Sequence, residues 1–196
     1  VVGISISTRP DCIEADYLEY LKTVKERGIS VEFELGLQSV NPTTLKILNR
    51  GHTLTDFLKA AQKIKDAGFT LCVHLIGNLP WDSDEDFYEA ARLLSYIKAD
   101  GVKIHSLYIL KNTVLGDWYL SDQVKIMGPE AYRARVIQFL RLLSPEITVQ
   151  RLFGRAPKEE TLFCNWGTSW RKLHNDLEAE MIRQGVKQGD LYRRLL

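Results

Sequence analysis

Glu34, Gln38, His74, Lys103 and His105 are the side chains of this sequence placed to do chemistry, because each lies on a short β-type run whose other face is apolar. From Val31 to Gln38, the residues Val31, Phe33, Leu35 and Leu37 alternate with Glu32, Glu34, Gly36 and Gln38. Cys72, His74 and Ile76 share a face of the next run, and Lys103, His105 and Leu107 share a face of the one after. Polar positions on successive strands are the pattern of a barrel mouth around a ligand. Glu34, His74 and His105 could also hold zinc or manganese and activate a water, as in a metal-dependent hydrolase barrel. No HxH or HExxH accompanies them. The remaining alternative is a buried network in which these groups satisfy one another.

The elements that must position these residues alternate between strand and helix. Val1 to Ser7 is a β-branched run, and Asp16 to Arg27 carries Leu18, Leu21 and Val24 at helical spacing before Gly28. The Val31 run ends at Leu37, Gln38 and Ser39, and Asn41 before Pro42 reads as the cap of a short helix, Thr43 to Leu48. Gln38 therefore sits at the carboxyl end of a strand, where α/β proteins bind ligands. Thr53 caps a longer helix with Leu54, Phe57, Ala61 and Ile64 inward, ended by Gly68. Thr70 to Ile76 is the third strand; Ser83 with Asp86 forms a capping box for the helix of Phe87, Ala90, Leu94 and Ile97. Val102 to Leu107 is the fourth strand, followed by an irregular connection from Tyr108 to Gly128. Pro129 opens a helix with Tyr132, Val136, Phe139 and Leu143 inward, and Ile147 to Leu152 is the last strand. This is the pattern of βα units with a parallel sheet.

Past Phe153 the character changes: Arg155 to Cys164 reads as a surface loop, and Trp166, Trp170, Leu173, Leu177 and Met181 form a helical stripe. Such a stripe is a docking face rather than a cofactor box. The final segment, Arg193 and Arg194 included, reads as a poorly ordered end. The expected division is a barrel portion, 1–153, and a tail with one amphipathic helix, 154–196.

With 26 Lys and Arg against 25 Asp and Glu, no global charge argues for nucleic acid or an anionic membrane. The tail from Arg151 onward is mildly basic, which leaves a partner- or RNA-binding module as a non-enzymatic alternative. Cys12, Cys72 and Cys164 fit neither a disulfide framework nor a metal clip and read as reduced thiols. No apolar run is long enough for a membrane span and no signal peptide is evident, so the expected location is cytoplasmic, with no membrane partner.

ISTRPDC, ELGLQS, NRGHT and HLIGNLP, in that order and spacing, with a GVKQG element near the end, resemble the radical S-adenosylmethionine (SAM) enzymes. The resemblance is to the elongator and oxygen-independent coproporphyrinogen oxidase branch, most of all to its YhcC-like group, and it covers essentially the whole chain. It implies the C-terminal part of a partial (β/α)6, TIM-like barrel with parallel strands and a C-terminal helical tail, with SAM across the strand ends. In that family a 4Fe–4S cluster on a CxxxCxxC loop supplies the electron that cleaves SAM to a 5'-deoxyadenosyl radical. This sequence has no CxxxCxxC, so Val1 to Ser7 matches the family's third strand and the chain reads as the adenosyl side of the site.

Position by position, the resemblance gives Glu34 or Gln38 the ribose hydroxyls and Arg50 the methionine carboxylate. It places Arg9 and Asp11 among the polar contacts, the backbone at Leu75 and Ile76 against adenine, and His74 and His105 toward substrate, as catalytic candidates. The implied partners are SAM, an electron-donor protein and a candidate RNA substrate. Asn78 stands where the branch has a glycine, which is tolerable if the position needs positive φ. Trp81 replaces a small residue. Without covering strands, the apolar edge at Val1 to Ser7 is expected to pair with another copy or to lie under the tail helix.

Overall fold

The computed structural model describes residues 1–157 and 159–193; Arg194 lies outside them. The larger sheet is entirely parallel: β1 (Gly3–Thr8), β2 (Ser30–Gln38), β3 (Thr70–Ile76), β4 (Gly101–His105) and β6 (Thr148–Arg151), in that spatial order. Strands that neighbour in sequence order and cross over with one hand put every connecting helix on the same face. The helices of that layer are α1 (Ala15–Glu26), α3 (Leu54–Asp66), α4 (Asp84–Tyr96) and α6 (Pro129–Leu142). Beneath them Phe33, Leu35, Leu37, Leu71, Val73, Leu75, Val102 and Ile104 are fully buried against Phe57, Ile64, Leu94, Tyr132 and Phe139. Each such side chain contributes roughly 1.5–3 kcal/mol. The other face is left to the polar residues.

The short α2 (Pro42–Ile47) begins as its sequence requires, with the Asn41 side chain accepting from Thr43 N and Thr44 N. Thr53 and Ser83 each form a capping box, with Asp56 and Asp86. Such caps are worth about 1 kcal/mol apiece and fix where each helix leaves the sheet.

Three expectations change. The connection after β4 is not irregular: it holds β5 (Tyr108–Leu110) and α5 (Val114–Leu120), and β5 pairs antiparallel with β7 (Thr161–Cys164), inside the stretch read as a loop. A three-residue strand whose partner is some fifty residues away leaves no local periodicity. The tail helix α7 spans Trp170–Gln184, so Trp166 precedes it, in a left-handed conformation (φ 52°). Leu177 is buried, and Trp166, Trp170, Leu173 and Met181 pack on the main core, so the stripe docks on its own chain. Finally, α7 packs on α6, toward the β6 side of a sheet whose opposite edge is β1. Among the described residues, α7 packs away from β1 and does not cover it. Among the described residues, no helix is long and apolar enough to cross a membrane.

Candidate functional site

On the polar face, Glu34 ties the sheet together from its middle. Its Oε1 accepts from Ser5 Oγ at 2.6 Å and Lys103 Nζ at 2.6 Å, and its Oε2 accepts from Ser7 Oγ at 3.1 Å. His74 Nε2 lies 2.9 Å from Oε2, out of line for a hydrogen bond. Burial works to raise the Glu34 pKa, but Lys103, Ser5 and Ser7 outweigh it and hold the carboxyl down at about 2. Lys103 Nζ already pairs with the carboxylate, and among the described residues no three His, Cys, Asp or Glu side chains cluster to hold a metal ion, so the hydrolase reading finds no ligand set. Three hydrogen bonds, with His74 beside Oε2, already occupy most of the Glu34 carboxylate and make it a poor acceptor for a ribose diol.

His74 and His105 stand side by side, ring centroids 5.4 Å apart. Burial lowers both pKa values; for His105 it acts with Arg151, His74 and Lys103 and brings the imidazole to about 4. Both rings are neutral near pH 7. Arg151 neighbours Lys103 across the β4–β6 ladder and shares this face. The Nε2 of His105 has no hydrogen-bond partner among the described residues.

The carboxyl ends of β1 and β2 differ. A bulge between Gly36 and Gln38 shifts the β2–β3 register, and Gln38 adopts φ 70°. A Cβ on Gly36 would stand 2.7 Å from Gln38 Nε2 and 3.1 Å from Arg50 Nη2. Glycine is therefore what lets amide and guanidinium close over the strand. Arg50 is half-buried with its Nε unpaired, and burial, then the nearby Arg9 charge, push its pKa below the usual value. Arg9 is ion-paired with Asp11 on an exposed 3-10 turn, Pro10–Cys12, while its guanidinium reaches Gly51. His52 is 6% exposed, and neither ring nitrogen has a hydrogen-bond partner among the described residues. Burial, with Arg50 beside it, lowers its pKa too.

At the end of β3, Leu75 is wholly in the core and Ile76 packs with Leu79, Leu107 and Ile109, leaving the backbone as what this strand end offers. Asn78 is not at positive φ, and neither is Gly77. Asn78 is buried, its Oδ1 accepting from Leu107 N at 2.6 Å, and Gly77 is required by the Tyr132 ring, 2.8 Å from where a Cβ would stand. Trp81 packs edge-on to Trp118, centroids 6.0 Å apart.

The candidates thus divide. Glu34, His74 and His105 lie together in the interior, and Arg9, Asp11, Gln38 and Arg50 lie together at the rim. Sequence reasoning placed Lys103 on the right face without its role as partner of Glu34. It missed Ser5 and Ser7, although their alternation with Ile4 and Ile6 carried the same signal.

A singly wound parallel sheet with its helices on one face is the α/β architecture of a partial barrel. Residues 1–94 match the Radical SAM superfamily and residues 99–183 match the Radical SAM C-terminal domain. The chain belongs to the radical SAM superfamily. MJ0486 of Methanocaldococcus jannaschii is 35% identical over 96% of this chain and 59% of its own length. YtqA of Bacillus subtilis is 31% identical over 100% of this chain and 60% of its own. The chain spans about three fifths of these relatives. The structure of Methanocaldococcus infernus Elp3 shares the fold, with a TM-score of 0.77 and 22% identity over 95% of this chain and 43% of that one. YhcC of Escherichia coli (strain K12) is 28% identical over 98% of this chain and 62% of its own length.

Proposed function

We propose that this chain forms the adenosyl side of a radical SAM enzyme's active site, holding SAM across the carboxyl ends of β1 to β4. The observation that carries the reading is Arg50, a half-buried guanidinium with an unpaired Nε and no acidic partner among the described residues. A buried cation held without a counter-charge fits a ligand carboxylate, and a guanidinium binds one with two charge-assisted bonds. Gln38 beside it serves the ribose hydroxyls in preference to Glu34, and the main chain at Leu75 and Ile76 faces adenine. Gln38, Arg50 and the backbone at Leu75 and Ile76 would hold SAM, which on one-electron reduction from outside this chain would give methionine and a 5'-deoxyadenosyl radical.

A 4Fe–4S cluster does not fit the cysteines present. Cys72 is buried with its thiol pushed up to about 12 by burial, Cys12 is exposed on another element, and Cys164 lies in β7. An electron-donor protein belongs to the same reading, and His74 and His105 face the substrate. RNA is the favoured substrate because a relative named tRNA uridine(34) acetyltransferase, from Methanocaldococcus infernus, matches 97% of this chain at 27% identity. In the full-length protein with its cluster reconstituted, Arg50→Ala and Gln38→Ala should each weaken SAM binding. Each bond to a charged group is worth about 1.5–3 kcal/mol, or roughly ten- to a hundredfold in affinity. Wild-type affinity and wild-type 5'-deoxyadenosine formation in both variants would overturn the assignment.

A further inference from the structure

The loop after β2 carries Gln38, and the loop after β3 continues from Leu75 and Ile76; on the reading above, one SAM molecule must meet both. A buried polar clasp joins these loops. Asp82, in the β3 loop, accepts at a single oxygen, Oδ1, from Ser39 Oγ at 2.9 Å and from Thr44 Oγ1 at 2.5 Å. Ser39 follows Gln38 directly and Thr44 lies in the first turn of α2; both are buried, Thr44 completely. The same Ser39 Oγ accepts from Asn41 N at 2.9 Å, so the turn into α2 is fixed from the same point. A second tie runs alongside, Asn41 Nδ2 donating to Asp86 Oδ2 at 3.2 Å.

The β3 loop is anchored in turn from below. Arg135, an arginine on the buried side of α6 and 6% exposed, donates to the carbonyls of Gly77 at 3.4 Å and Asp82 at 3.3 Å. Its Nε also donates to Asp84 Oδ1 at 2.6 Å. The loop is therefore gripped by its backbone from α6 and by its carboxylate from β2 and α2. Burial raises the Asp82 pKa against the pull of Thr44 and Ser39, the mark of a carboxylate whose place is set by its hydrogen bonds rather than by a counter-charge.

We propose that Asp82 is a positioning residue that sets the distance between the ribose contact at Gln38 and the adenine contact at Leu75 and Ile76. It touches neither ligand nor reacting atoms. Its effect passes through Ser39 and Thr44 on one side and through its own loop on the other. A ligand that bridges both loops needs them held in register before it arrives, and a buried bond acceptor shared by both loops supplies that preorganisation.

The inference rests on the SAM reading, and the test separates the two. The probe is S-adenosylhomocysteine, whose dissociation constant is measured on the full-length protein with its cluster in place, so no turnover is needed. Asp82→Ala is expected to raise that constant about tenfold. Asp82→Asn keeps an oxygen for both hydroxyls and should stay within about twofold of wild type. Thr44→Val, which removes one hydroxyl at constant shape, should weaken binding about threefold in the wild-type background and not at all beside Asp82→Ala. Should Asp82→Ala not fold, the Asp82→Asn and Thr44→Val pair decides. Arg50→Ala is the control for the parent reading. Weak binding in Arg50→Ala with wild-type binding in Asp82→Ala and Thr44→Val overturns the clasp and leaves the SAM site standing. Wild-type binding in all of them overturns both. Equal losses in Asp82→Asn and Asp82→Ala also overturn the clasp, because the shared acceptor oxygen would not be what matters.

Discussion

Two polar clusters lie a few residues apart on the same strands, and they are built on opposite plans. The Glu34 carboxylate has its partners: Lys103, Ser5 and Ser7 donate to it, with His74 beside it. Around Arg50 the partners are missing: Arg50 Nε and both nitrogens of His52 are buried without hydrogen bonds among the described residues. Burying a polar group without a partner costs about 1–3 kcal/mol, and His74 Nε2 and His105 Nε2 carry the same cost in the interior, so what sets the rim apart is Arg50, a half-buried cation without an acidic partner among the described residues. The Glu34 carboxylate is satisfied from within the protein, whereas the Arg50 guanidinium is left for the SAM contact proposed above.

The largest effect expected from breaking this contrast is at Glu34. Glu34→Ala leaves Lys103 half-buried without its anion, which should cost about 3–5 kcal/mol of unfolding free energy in urea titration. Arg50→Ala removes an unpaired buried charge and should leave stability unchanged or slightly raised. The acid response follows with its sign. The Glu34 carboxyl is held at about 2 in the folded chain against 4.5 for a free group. Its contribution is complete above pH 4.5 and is lost as pH falls toward 2. Stability of Glu34→Ala equal to wild type at pH 7 would show that the interior network is not a structural tie.

His105 sharpens the comparison because it lies in the interior yet has an unpaired Nε2. Its folded pKa, about 4, is below the 6.5 of a free imidazole. The unfolded chain thus takes up a proton that the folded chain refuses. Stability is complete above pH 6.5 and falls by about 2–3 kcal/mol as pH drops through the window down to 4. His105→Gln should remove that part of the acid slope and change stability little at pH 7.5, since no protein bond is lost. His52 and His74 shift in the same direction, so part of the slope remains. An unchanged slope between pH 6.5 and 4 would mean that His105 is not held neutral by its surroundings.

How much of this the sequence disclosed depended on range. The alternation of Val31, Phe33, Leu35 and Leu37 with Glu34 and Gln38 is local, and so are the caps at Asn41, Thr53 and Ser83; all could be read residue by residue. The pairing of β5 with β7 could not, because nothing near Tyr108 specifies a partner at Cys164. Glu34 and Lys103 were each visible as polar positions, but their contact spans sixty-nine residues. Asn78 misled for a different reason. Asparagine in place of glycine suggests a left-handed backbone, whereas here its side chain caps Leu107 N and the neighbouring glycine makes room for a tyrosine ring. Arg135 on the apolar side of α6 was a legible anomaly, since a buried arginine in a helix stripe demands acceptors.

The smallest effect belongs to Gly36, and it is the most specific test of the rim. Its φ is not in the left-handed region, so alanine brings no backbone strain. The added Cβ would stand 2.7 Å from Gln38 Nε2 and 3.1 Å from Arg50 Nη2, and both are tips of long side chains that can swing aside. Gly36→Ala should therefore change unfolding free energy by less than about 1 kcal/mol, inside the range of ordinary surface substitutions and mild core changes. Yet the swing displaces together the two groups assigned to the ribose and to the carboxylate. Affinity for SAM should fall about three- to tenfold, the equivalent of part of one charged hydrogen bond. Loss of affinity at full stability is what a ligand-completed cluster requires. A Gly36→Ala protein that loses stability in proportion to binding would instead make the rim a packed structural element like the interior, and the difference between the two clusters would disappear.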